Sequence, residues 1–147
     1  MKKLTILLTL LLASMAMVAA GCGGSDDDSG PSKEEYIAKA DKICEESNTE
    51  ILKIGKELGA NPSDKETVEA IKSDLLPELE SRAQELEGLE RPSADEDELE
   101  SYYQDLDDGI STVADDPEAA VASDENPFEA SDKAAQEYGL KVCGSDG

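Results

Sequence analysis

The chain has no histidine and no tryptophan, and its aromatics are four Tyr and a single Phe. The missing histidine removes the usual general base and the commonest metal ligand. A Ser or Cys nucleophile would have no imidazole partner, and the Glu-x-x-His ligands of a di-iron bundle cannot occur. No glycine-rich phosphate loop is present. Aligning Gly109 at the turn of a calcium-binding loop puts Gln104 and Leu106 where acidic ligands belong. The many carboxylates single out no pair for acid–base work. The expectation is a protein that is not an enzyme, with no cofactor and no metal site. Bases are scarce as well: 13 Lys and Arg face 36 Asp and Glu. Such a surface lacks the clustered cations that nucleic acid requires, and it cannot lie flat on an anionic bilayer. Apolar residues are thin too. Between Lys33 and Cys143 only 21 of 111 residues are Ile, Leu, Val or Phe, near the ~20 % below which charged chains fail to fold. An extra staple is expected.

The apolar residues that do cluster stand at the start. Lys2 and Lys3 precede the run Leu4–Leu12, and small residues lead to Ala19-Ala20-Gly21-Cys22. That order reads as a secretory signal. An ordinary signal cut after an A-x-A-like site and an uncleaved span are the alternatives, although the run is short against the roughly 20 apolar residues a span needs. The Ala-Gly-Cys sequence resembles the lipobox of bacterial lipoproteins, with Ala19 where that family most often has Leu. The resemblance implies cleavage before Cys22 and a diacylglycerol on its thiol. Two or more acyl chains would anchor the protein stably. The organisation is then a signal peptide over 1–21, a flexible acidic tether over 22–32 (CGGSDDDSGPS), a domain over 33–143 and a disordered tail over 144–147. The chain from Cys22 onward holds 11 bases against 36 acids, a net charge of −25.

Within the domain, start and stop signals recur. Ser32 with Glu35, Ser63 with Glu66, Ser93 with Glu96 and Asn126 with Glu129 each read as a capping box or a close variant. Gly59, Gly88 and Gly139 read as stops, with Leu89 and Leu140 placed for Schellman motifs. Apolar residues at steps of three and four predict helices over about 33–58, 64–87, 94–114 and 127–138. Pro77 should kink or split the second, and Asp116-Pro117 should start a short extra turn. Short connections favour antiparallel neighbours, so the fold expected is all-α, an up-and-down bundle of about four helices.

Charge is uneven along this bundle. Residues 33–91 carry 9 bases and 16 acids, whereas 92–132 carry 15 acids and no base. The second stretch should project its own negative field. It reads either as a docking face for a basic partner, cationic peptide or divalent cations, or simply as a solubilising surface, and it is the stretch most exposed to local disorder. Within it, at least one of Tyr102 and Tyr103 is expected in the core.

The segments SKEEYIAKADKICEE and NPFEASDKAAQEYGLKVCG resemble a group of small secreted helical lipoproteins of high-GC Gram-positive bacteria, mainly through Cys44 and through Tyr138-Gly139-Leu140 ahead of Cys143-Gly144. The resemblance implies location on the outer face of the cell membrane and a helical fold, and no activity. With Cys22 taken by lipid, the two remaining cysteines of a secreted chain allow one intramolecular bond, Cys44–Cys143. The function expected is a membrane-tethered binding or scaffolding module of the cell envelope, its partner a basic protein or peptide. The alternative is a solute- or cation-binding lipoprotein with a small cleft between helices.

Overall fold

The computed structural model describes residues 30–145; the signal peptide, Cys22 and most of the tether lie outside the described residues, as do 146–147. The helices are α1 (Lys33–Leu58), α2 (Asp64–Ala70), α3 (Leu76–Glu87), α4 (Glu96–Asp115), α5 (Pro117–Ala122) and α6 (Glu129–Tyr138). No strand occurs among the described residues. A π turn, Ile71–Leu75, joins α2 to α3 without a break. Here the N–H of Leu76 donates to the carbonyl of Ile71, five residues back. Pro77 is the physical cause: it has no N–H for the carbonyl of Ser73, and its ring crowds that carbonyl. The backbone widens by one residue instead of snapping.

Side-chain caps explain where α1, α2 and α5 begin. Ser32 Oγ accepts from the N–H of Glu35 at 3.2 Å, and Glu35 Oε2 accepts from the N–H of Ser32 at 3.0 Å. Ser63 and Glu66 form the same reciprocal pair. The other two expected boxes are corrected by the structure. α4 starts at Glu96 behind Asp95, not at Ala94 behind Ser93. The Asp95 N–H closes a turn on the carbonyl of Pro92, and its carboxylate accepts from the Tyr138 hydroxyl at 2.9 Å. Asn126 makes an Asx turn to the N–H of Phe128, so α6 starts at Glu129 instead of Pro127. Among the stops, Gly139 is left-handed at φ 107°. The N–H of Leu140 bonds the carbonyl of Ala135 and that of Gly139 the carbonyl of Gln136, a complete Schellman motif. Gly88 stays right-handed, so its helix simply runs out.

α1 packs on α3, α3 on α4 and α4 on α6, while α5 lies against α2 and α4. The result is an up-and-down all-α bundle stapled by one disulfide. The stretch 92–132, read as the one most exposed to local disorder, is built mainly of α4, α5 and the first turn of α6, with connections at 92–95 and 123–128. Its inner face supplies Leu99, Tyr102, Tyr103, Leu106, Ile110 and Val113 to the core. Gly109 is where α4 meets the start of α6: a Cβ there would lie 2.6 Å from Phe128 Cδ1 and 2.8 Å from the Pro127 carbonyl oxygen. Both margins assigned to tether and tail are partly packed. Gly30 sits so close to the Arg91 carbonyl that a Cβ would approach it to 2.7 Å, and Gly144 is buried against Asp132 and Gln136.

Candidate functional site

Two regions along α1 hold the residues of interest. The first is the stapled end. Cys44 and Cys143, 99 residues apart, are bonded with Cα atoms 5.2 Å apart. Asp41, one turn before Cys44, sets up the bond. Its carboxylate accepts from the N–H of Val142 at 2.9 Å and of Lys141 at 3.2 Å. The chain leaving Gly139 is thereby laid against α1 with Cys143 facing Cys44. Sequence reasoning missed this role of Asp41, although an acid three residues before a half-cystine on the same helix face was there to be noticed.

Around the staple the four tyrosines form a buried cluster. The Tyr36 hydroxyl donates to that of Tyr103, and Tyr103 donates on to the Leu86 carbonyl at 2.8 Å. Tyr36 and Tyr138 meet edge to face at 5.7 Å, and Tyr102 and Tyr103 pack at 5.3 Å. Lys33 Nζ stands 3.8 Å from the centre of the Tyr138 ring, and the Arg91 guanidinium 4.5 Å from that of Tyr103. Arg91 is held in place by Glu100 at 2.8 Å. Burial pushes the pKa of all four phenols up. At neutral pH they are therefore uncharged donors. A chain of neutral phenols ending on a backbone carbonyl carries no proton anywhere; it holds helices α1, α3 and α4 in register.

The second region lies past Ser47. Here Ile51, Leu52, Leu75, Leu79 and Phe128 form the apolar lining of a groove of about 550 Å³, between the second half of α1, the π turn with α3, and the start of α6. Arg82, Asp132, Asn48, Asn126 and Ser145 supply its polar positions, and Cys143 brings the staple to its edge. Asn126 Nδ2 donates to Asp132 Oδ2 at 3.1 Å, which fixes that wall. Leu52 is 56 % exposed, the one large hydrophobic residue left exposed among the described residues. At the seam between α1 and α3, Ser47 Oγ and Arg82 Nε are buried with no hydrogen-bond partner. Both also line a smaller cleft of about 290 Å³ with Glu46, Glu50, Glu78 and Glu85.

The candidate residues thus fall as follows. Cys44 and Cys143 are together. Cys22 lies outside the described residues. The acidic block forms the outer surface of α4 and α5 and one wall of the groove. Among the described residues no three of His, Cys, Asp and Glu are grouped to hold a metal ion, and no helix is long and apolar enough to cross a membrane. The class defined by these features is a small disulfide-stapled acidic helical bundle with an open apolar groove. The chain matches no protein-family model, no curated protein and no solved structure.

Proposed function

We propose that the protein is a non-enzymatic binding or scaffolding module, held at the outer face of the cell membrane by lipid on Cys22, whose partner is a basic protein or peptide of the envelope. The observation that carries this reading is the base-free block 92–132, folded largely into α4, α5 and the first turn of α6; of its 15 carboxylates Glu98, Glu100 and Glu118 meet Lys33, Arg91 and Lys72 from outside the block, and the excess of acid over base leaves this surface negative. A rigid array of one sign attracts and orients an oppositely charged partner far better than a random coil of the same charge. Anchoring and binding are tested separately. Metabolic labelling with a fatty-acid analogue marks the wild type and spares Cys22→Ser; equal labelling of both ends the lipid reading. Pull-down from envelope extract recovers a basic partner that salt releases; recovery unaffected by salt, or of acidic partners, ends the charge reading.

One observation favours a second reading, a solute-binding lipoprotein: the groove volume of about 550 Å³ lies within the range of small-molecule sites. Thermal-shift screening with small solutes, calcium and magnesium discriminates. A solute that raises the melting temperature where cationic peptides do not would favour this second reading.

A further inference from the structure

Resting on the reading of the chain as a binder of basic partners, we propose that the groove between the second half of α1, α3 and the start of α6 is the docking site for a cationic amphipathic helix. Its lining is apolar at Ile51, Leu52, Leu75, Leu79 and Phe128. From Leu75 to Arg82 the chain advances about 10 Å at ~1.5 Å per residue, two helical turns. That length suits a helix presenting apolar anchors at i, i+3 or i+4, and i+7. The π turn belongs to the site, because it ends on Leu75, which lines the groove.

Charge selects the occupant. The lining itself carries one charge of each sign, Arg82 and Asp132, and the rim beside it belongs to the base-free block, where Asp124, Glu125 and Glu129 are exposed and flank Asn126 and Phe128 in the chain. A helix with Leu on one face and Lys on the other places its apolar anchors on the lining and its cations against those acids. A second copy of the chain is opposed by its own net charge of −25 from Cys22 onward. An anionic lipid surface is opposed for the same reason. A small solute would need convergent polar groups free to fix it, whereas in the groove Asn126 and Asp132 are already bonded to each other and the Nε of Arg82 is buried.

The test uses the full-length protein, a Leu/Lys peptide that forms a cationic amphipathic helix, and oligolysine of equal charge, with binding read by calorimetry. The discriminating variant is Leu52→Asp. Leu52 is 56 % exposed, so the variant keeps its melting temperature. It places a carboxylate in the apolar lining while making the protein more acidic. Groove docking predicts that Leu52→Asp weakens the amphipathic peptide by about tenfold or more, the equivalent of ~1.4 kcal/mol, and leaves oligolysine unchanged or tighter. If the amphipathic peptide binds Leu52→Asp as well as wild type, the interaction is charge alone; the groove proposal is overturned and the basic-partner reading stands. If neither peptide binds, both are overturned. If sedimentation shows a concentration-dependent dimer that Leu52→Asp abolishes, the groove belongs to a second copy and the proposal fails.

Discussion

The two halves of α1 carry the same apolar periodicity and meet different fates. Before Ser47 the helix buries Tyr36, Ala40 and Cys44 completely, with Ile37 and Ile43 half-buried beside them. After it, Ile51, Ile54 and Leu58 are only half-buried and Leu52 is exposed. The stripe does not change at Ser47; the supply of partners does. The first half faces the tyrosine cluster, the disulfide and the chain end clamped by Asp41. The second half faces α2, the π turn and the short connections of the acidic block, which have few apolar side chains to offer. A chain this poor in large apolar residues closes its core at one end and leaves the other open.

The largest expected effect comes from removing the staple. A closed loop of about 100 residues stabilises by roughly 4.7 kcal/mol in the chain-entropy view, and native disulfides of small secreted domains are worth about 2–5 kcal/mol. Denaturant unfolding with and without reductant reads it directly. An unchanged midpoint would mean that the tyrosine cluster holds the closed end unaided. Next comes Leu86→Ala at the closed end, where Leu86 is 0 % exposed; a loss of about 2–5 kcal/mol is expected. A loss as small as that of an open-end variant would erase the contrast. Gly109→Ala probes the boundary between the regions. Its new methyl meets the backbone of Pro127 and the ring of Phe128, and overpacking of this kind costs about 1–3 kcal/mol.

Alkali should attack the closed end first. Burial raises the pKa of Tyr36 and Tyr102 in the folded chain. The unfolded phenols ionise near pH ~10, so their contribution to stability is fully present below that pH and is lost as pH rises above it. The loss is up to about 1.4 kcal/mol per pH unit for each phenol until its folded pKa is reached. Hydrogen exchange at raised pH should open amides around Tyr36 and Tyr102 before those of α2; the reverse order would sink this account. The smallest effect is expected for Leu52→Ala in the open groove, within about 0.5 kcal/mol. A larger loss would show that the groove is closed in solution.

Sequence legibility followed the same division. Local signals were sound where they rested on the chain's own chemistry: the Ser32 and Ser63 boxes, the Gly139 stop, and the short turn at Asp116-Pro117, whose carboxylate accepts from the N–H of Ala119 at 2.8 Å. They failed where a distant residue intervened. Ser93 reads as a cap, but Asp95 takes that place and is tied to Tyr138, 43 residues on. The Cys44–Cys143 bond followed from counting cysteines; the role of Asp41 did not, because the N–H groups it receives, on Lys141 and Val142, lie about a hundred residues further along the chain. The groove was foreseen only as an unspecified cleft, since exposure of Leu52 depends on what α6 and the π turn fail to cover.

The 26 residues of α1, at ~1.5 Å each, make a rod about 39 Å long. Residue 32 is at one end, and Leu52 lies roughly 30 Å along it by the same rise. Cys44 stands about 18 Å along the same rod and its partner Cys143 lines the groove itself, so a pull on the chain ahead of Ser32 passes the tyrosine cluster and then the disulfide before it reaches Leu52, and the staple braces the near wall of the groove.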